Sequence, residues 1–302
     1  MIPRPPPRPP QTGFLYVHPL RIQGYSIAGE ETAVQVPELG VCFDIGRCPR
    51  LALTSPFVAL SHGHMDHVAG LGYYFSQRYF QGMDVGQVVC HPHLEKPIHN
   101  LMRGWSELEA QRTPYRVHPL APDQELEIKN NRYLRGFATM HTVPSLGFVV
   151  LERRSKLRDD LVGLPQEQIL DLKKRGESIT RTVEIPLVCY TGDTCMGDHF
   201  DRPDVLGAKI LITECTFLET SDRHRASAGK HLHLGDVLEL LDRSQAEAVI
   251  LIHLSRRTHI AAARAQLDEA VPSRHRDRVL MLMDSKSNRL RYEQQDREAG
   301  AG

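Results

Sequence analysis

Ser61–Gly70 reads SHGHMDHVAG and follows directly on the apolar run SPFVAL, residues 55–60. Four metal-capable side chains, His62, His64, Asp66 and His67, fall within six consecutive positions. In an extended segment, side chains two residues apart point the same way, so His62 and His64 converge on one ion if the strand end stays extended. Asp66 and His67 come where the chain turns into a helix, and from there they reach a second ion beside the first. Open α/β sheets place their sites beyond the carboxyl ends of strands, which is where this array stands. The stretch therefore predicts half of a two-metal centre in an α/β fold.

The other half is offered in the same context. His141 ends RGFATMH, Asp193 ends IPLVCYTGD and His253 ends AVILIH, each an ionisable side chain at the exit of an apolar run. Five neutral imidazoles and two carboxylates make a borderline-soft nitrogen and oxygen set that suits two Zn²⁺, with Mn²⁺ or Fe as alternatives. Asp193 has two oxygens to share and is the candidate bridge. The runs VCFDIG, QVVCH, LGFVVLE, KILITEC and RVLMLMD also read as strands. Between strands, DHVAGLGYYFSQRYFQ, LEKPIHNLMRGWSELEAQR, LGDVLELLDRSQ and THIAAARAQLDEAV read as helices. The pattern predicts sheets covered by helices.

The chain of 302 residues is ample for a buried core, and no apolar run approaches the roughly 20 residues a bilayer span needs. A soluble protein without a membrane partner is expected. Six scattered cysteines with no CxxC pair read as reduced thiols in a cytoplasm. Net charge is zero, so any nucleic-acid contact must be a local patch. Residues 1–13, MIPRPPPRPPQTG, lack the apolar core of a secretory signal and read as a disordered proline-rich tail. One domain is expected over 14–293 and a disordered tail over 294–302. Within the domain, residues 152–182 are highly charged and read as a surface insertion carrying a short helix.

Taken together, SHGHMDHVAGL, TMHTVPSLGFVV, YTGDT and LIHLS resemble the ordered metal motifs of the metallo-β-lactamase superfamily, and Asp44 in CFDIG matches that fold's structural aspartate. The resemblance covers most of the chain. It implies a four-layer αβ/βα sandwich with a dinuclear site at the strand ends between two sheets, the ligands being His62, His64, Asp66, His67, His141, Asp193 and His253. FDIGRCP, LVGLPQEQILDLKKRGESIT, TECTFLE and AGKHLHLGDVLELL further resemble ribonuclease Z, the tRNA 3′-processing endonuclease, in its compact plant-like form.

That resemblance implies a zinc-dependent endoribonuclease that removes 3′ trailers from tRNA precursors; the alternative is a phosphodiesterase of the same fold acting on a small ester. A Glu and a His follow the family's fourth metal motif, and here they fall on Glu214 and His231. The chain reads Gly229-Lys230-His231 where the family commonly has Gly-His, which leaves His233 as a competing assignment. Asp66 suits the orientation and deprotonation of an attacking water, and a histidine suits protonation of the leaving oxygen with a carboxylate behind it. The charged insertion sits where these enzymes carry an arm that grips tRNA. Arg153, Arg154, Lys156, Arg158, Lys173, Lys174 and Arg175 are its candidate phosphate contacts, and the arm's usual service to a partner's site implies a homodimer.

Overall fold

The computed structural model describes residues 11–300. The first sheet takes β1 (Gly13–Val17), β2 (Leu20–Ala28), β3 (Glu31–Val36), β4 (Val41–Phe43) and β5 (Phe57–Leu60). After helices α1 (Met65–Val68) and α2 (Leu71–Phe80) it adds β6 (Gly86–Cys90), and after α3 (Pro92–Glu109) it adds β7 (Tyr115–Pro119). The second half runs β8 (Glu125–Lys129), β9 (Arg132–Ala138), β10 (Leu146–Leu157), α4 (Gln166–Lys174), β11 (Thr180–Tyr190), α5 (Pro203–Leu206) and β12 (Ile210–Glu214). It closes with α6 (Arg223–Gly229), α7 (Leu234–Arg243), β13 (Ala248–Ile252), β14 (Leu254–Ser255), α8 (Ile260–Ala270), β15 (Val279–Met281) and α9 (Ser285–Gly300). The strand order is β1 to β7 in sequence in the first sheet, with β14 added beside β2, and β15-β13-β12-β11-β10-β9-β8 in the second.

Both sheets are mixed, and their central strands β4, β5, β6, β12 and β13 are buried on two faces, which is why these read as near-continuous apolar runs. The period of two sorts each run. Val41, Phe43, Phe57 and Ala59 enter the core between the sheets, while Cys42, Val58 and Leu60 join Leu71, Tyr74, Phe75, Ile98 and Met102 from α2 and α3. In β13, Ala248, Ile250 and Ile252 face inward, and Val249 and Leu251 face Val237, Leu240, Leu241 and Leu267 of α7 and α8. Helix, sheet, sheet, helix is the expected αβ/βα sandwich. Phe43 and Tyr190 stack across the two sheets with centroids 4.7 Å apart.

The charged segment over 152–182 is the far end of the β10–β11 hairpin, paired from Glu152↔Ile185 to Leu157↔Thr180 and tipped by α4. α4 buries none of its residues, and from residue 158 to 179 the one fully packed apolar side chain is Leu161. The C-terminal boundary differs from expectation. α9 continues through residues 294–300 instead of giving way to a tail at 294, because Asn288 Nδ2 donates to the Met281 and Leu282 carbonyls, Tyr292 packs edge-on against Phe14, and Gln295 donates to the Tyr16 carbonyl. At the other end β1 begins at Gly13, and residues 1–10 of the expected proline-rich tail lie outside the described residues. Among the described residues no helix is long and apolar enough to cross a membrane.

Because the hairpin tip buries so little, replacing residues 158–179 with an Asn-Gly turn should move the melting temperature by less than about 3 °C, on the order of 1 kcal/mol for a domain this size. A larger loss in differential scanning calorimetry would show that the tip is part of the core.

Candidate active site

The site is assembled from strand exits. Ser61 and His62 follow β5, His141 follows β9, Gly192 and Asp193 follow β11, Glu214 ends β12 and His253 follows β13. Gly192 adopts φ 61°, and a Cβ there would come within 2.7 Å of the Ser61 Cβ, so only glycine lets Asp193 close against the β5 exit.

Asp44, fully buried, is the hub. Its Oδ1 accepts from the Ser61 N–H (2.7 Å), and its Oδ2 faces the Ser61 hydroxyl (2.8 Å), the Tyr190 hydroxyl (2.5 Å) and His67 Nδ1 (2.8 Å). A carboxylate can only accept, so His67 carries a proton on Nδ1 and turns Nε2 to the cluster. The same logic fixes His62. The Ser61 hydroxyl gives its one proton to Asp44, so at 3.0 Å it accepts from His62 Nδ1 and leaves His62 Nε2 bare. Thr216 repeats the device. Its hydroxyl donates to Glu214 Oε2 (2.5 Å), so at 3.0 Å it accepts from His253 Nδ1. His141 Nδ1 donates to the Lys230 carbonyl at 3.2 Å. Four imidazoles thus have their outward nitrogen engaged as a donor and present Nε2 inward, able to accept once the ring is neutral.

These inward atoms form two groups. His62 Nε2 lies 3.0 Å and His141 Nε2 3.3 Å from His64 Nδ1. His67 and His253 Nε2 lie 3.4 Å apart, with Asp66 Oδ2 3.6 Å from the first and 3.4 Å from the second. Asp193 Oδ2 reaches both groups, at 3.9 Å from His62, 3.4 Å from His67 and 3.3 Å from His253. Its other oxygen, Oδ1, is buried and has no hydrogen-bond partner among the described residues. Converging lone pairs beside an orphaned carboxylate oxygen lack a donor, which is what bound divalent metal would supply. All seven residues expected as ligands are brought together.

Electrostatics follow the same division. Burial pushes His62 down to about 2 and keeps it neutral. His67 is buried too, but Asp193 and Asp44 outweigh that penalty and hold it well above the usual histidine range. Burial also raises Asp66 and Asp193, yet the surrounding histidines leave both carboxylates below the ordinary range.

Of the two histidines left open by the sequence, His231 faces the cluster. Its Nδ1 lies 3.0 and 3.2 Å from the two oxygens of buried Glu214, whose Oε1 also accepts from the Thr194 N–H at 2.8 Å. Burial lowers the His231 pKa, but the Glu214 hydrogen bond and charge prevail and push it up to about 9. Its ring stands between the two groups, 5.1 Å from His141 and 5.4 Å from His253. His233 turns away, accepting from the Gly235 N–H to cap α7 and meeting the Glu219 carbonyl at 3.0 Å.

The seven candidate RNA contacts do not form one set. Arg153 lies on Tyr133 and is held by Glu125 (2.6 Å) and Glu184 (2.7 Å), inside a sheet-surface network that also holds Arg135. Arg154 pairs with half-buried Glu152, and Arg158 with Asp160, Lys174 with Asp171 and Arg175 with Glu177, these last three partners exposed. Lys156 and Lys173 are exposed, and among the described residues no carboxylate lies within 4.0 Å of either. Ser61 and Thr216, which orient imidazoles, and Tyr190, which donates to Asp44, carry no spacing signal of their own.

Residues 50–254 match the model of the beta-lactamase superfamily domain. The chloroplastic tRNase Z TRZ2 of Arabidopsis thaliana is 35% identical over 246 residues, covering 80% of this chain and 70% of the relative. The same plant's tRNase Z TRZ1 is 32% identical over 240 residues, 78% of this chain and 85% of the relative. The chain belongs to the tRNase Z family of the beta-lactamase superfamily. The fold agrees: the crystal structure of the short form of human tRNase Z superposes with a TM-score of 0.57 at 17% identity, covering 89% of this chain and 95% of that one. The metallo-beta-lactamase fold protein YhfI from Bacillus subtilis gives 0.59, also at 17% identity.

The Asp44 hub of this tRNase Z family member is open to a direct test. Asp44→Ala leaves the Ser61, Tyr190 and His67 donors buried without an acceptor, and it should cost about 3–5 kcal/mol in urea denaturation. Tyr190→Phe removes one donor together with its demand and should cost less than half of that.

Proposed function

We propose that this family member is a metal-dependent endoribonuclease that removes 3′ trailers from tRNA precursors, leaving a 3′-hydroxyl on the tRNA and a 5′-phosphate on the trailer. The observation that carries the reading is the Glu214–His231 pair standing over both groups of inward-facing ligand atoms. A phosphodiester laid across that cluster meets cation-binding residues below and a proton-bearing imidazole above.

His62, His64 and His141 would hold one ion and Asp66, His67 and His253 the other, with Asp193 between them; Zn²⁺ is the expected metal and Mn²⁺ or Fe the alternatives. Bound there, the pair would polarise the phosphodiester and make a water acidic near neutral pH. Asp66, fixed through Oδ2 by the Gly29 N–H at 2.8 Å, orients that water and takes its proton. His231 gives a proton to the departing ribose 3′-oxygen. Glu214 keeps the proton-bearing Nδ1 aimed away from substrate, so the exchanging proton is the one on Nε2, and it stabilises the charged imidazolium.

The arm binds the tRNA body through Lys156, Lys173, Lys174 and Arg175, with Arg154 and Arg158 as weaker contributors. Arg153 belongs to the ion-pair network and has no phosphate role in this reading. The working unit is a homodimer, a reading supported by the exposed apolar face of α2 and α3, where Tyr73, Phe80, Trp105 and Leu108 are 55, 72, 44 and 77% accessible. The six free cysteines, five of them buried, support the expected reducing, cytoplasmic setting.

Incubation with a 3′-extended tRNA precursor should release an intact trailer, and a chelator should abolish the cleavage. His231→Ala should lower kcat about 10²- to 10⁴-fold. Neutralising Lys173, Lys174 and Arg175 should raise KM for the precursor while sparing hydrolysis of bis(p-nitrophenyl)phosphate. Robust turnover of the small ester with an uncut precursor would replace the tRNA reading by that of a small-ester phosphodiesterase.

A further inference from the structure

Among the described residues seven other than glycine have positive φ, and three of them border the cluster: Asp44 (58°), His253 (57°) and Lys230 (52°). Left-handed backbone is mildly strained for such residues, and at Lys230 it forms the turn that ends α6. Asp44 and His253 supply the hub and a ligand atom. Lys230 has no role in what has been described beyond its carbonyl, which any residue provides, and glycine would take that φ freely.

The side chain of Lys230 is nevertheless held in place. Its Nζ donates to the His141 carbonyl at 3.1 Å while its own carbonyl accepts from His141 Nδ1, so the lysine spans His141 from both sides. One of three ammonium protons is used there, leaving two for a further acceptor. Lys230 is exposed, and among the described residues no carboxylate oxygen lies within 4.0 Å of its Nζ. Most arm cations have such a partner. A fixed cation with spare donors at the rim of a phosphodiester-cutting cluster matches a phosphate oxygen.

We propose that Lys230 is a substrate-binding residue that grips the phosphate one linkage to the tRNA side of the scissile one. The side follows from its neighbour. His231 serves the leaving 3′-oxygen, which stays with the tRNA, and Lys230 adjoins it on the His141 side. This rests on the RNA-cleaving reading above, and it adds a specificity determinant: a substrate must carry a charged linkage at that position.

The test uses the metal-loaded protein with K230M and K230R, both of which keep the strained backbone, and two 3′-extended precursors, one fully phosphodiester and one with a neutral methylphosphonate at the flanking linkage. On the normal precursor K230M should raise KM about tenfold, the loss expected for one charge-assisted hydrogen bond, and K230R should recover most of it. On the methylphosphonate precursor K230M and the parent should agree within twofold. Zinc affinity, measured by competition with a chromophoric chelator, should be the same in all three proteins. Equal KM losses on both precursors, or zinc binding weakened in step with KM, would overturn the proposal and leave Lys230 as a brace for His141. If the parent protein does not cut the precursor, the tRNA reading fails. Lys230 is then judged by binding of a single-stranded oligoribonucleotide to chelator-treated protein, where K230M should reduce the salt slope by about 0.7; an unchanged slope would overturn it.

Discussion

A single buried carboxylate ties the two halves of the sandwich to the site. Asp44 leaves the end of β4 in the first sheet and receives the Tyr190 hydroxyl from the end of β11 in the second. It also holds the Ser61 amide and hydroxyl and His67. Burying a charge is costly unless every lone pair is met, and here two oxygens meet four groups. The geometry of the β5 exit, the spacing of the sheets at their open edge and the orientation of two candidate ligands therefore depend on one side chain.

Ligand orientation is built twice on the same plan. Asp44 takes the Ser61 hydroxyl proton, and that hydroxyl's oxygen takes the His62 proton; Glu214 takes the Thr216 proton, and that oxygen takes the His253 proton. In each relay a carboxylate behind a hydroxyl dictates which imidazole nitrogen is bare. Glu214 has a second duty, because the same carboxylate holds His231. Its position therefore couples the aim of one metal-binding histidine to that of the proton-carrying one, and a change at Glu214 cannot be read as a change in proton transfer alone.

Much of this was legible from residue order. The alternation of histidines at 62 and 64 and the shift to Asp66 and His67 follow from strand and helix geometry, and the ligands at 141, 193 and 253 each end an apolar strand. Other features depend on partners remote in the chain. Nothing near Arg153 announces Glu125 and Glu184, which reach it across neighbouring strands, so a cation read as free is in fact spent. Tyr190 and Thr216 look like ordinary strand residues until the second sheet is folded over the first. The strands β1 to β3 were not anticipated from their sequence, and α9 is polar nearly all round, so its packing rests on scattered contacts by Asn288, Tyr292 and Gln295 instead of an apolar stripe. His231 and His233 are equivalent by composition; only the loop after α6, turning at Lys230, decides which one meets Glu214.

The charge balance of the site explains why its histidines titrate in opposite directions. Asp44, Asp66, Asp193 and Glu214 bring four carboxylates to a region whose other groups are imidazoles, and a phosphodiester adds one more negative charge. Without cations, that excess is relieved by protons, which is the physical reason that His67 and His231 are held above the usual histidine range while His62, buried, farther from a carboxylate and beside other imidazoles, is driven below it. Cations seated among the Nε2 atoms compete with those protons, so ion uptake is coupled to proton release and weakens as the pH falls. In the proposed reading His231 is left out of the ligand set and stays with Glu214, whose oxygens lie 3.0 and 3.2 Å from its Nδ1. On that reading the imidazoles that would lose protons to hold ions are separate from the one that would keep a proton to donate, although neighbouring rings lie within about 5.4 Å of one another where the strands of the two sheets end.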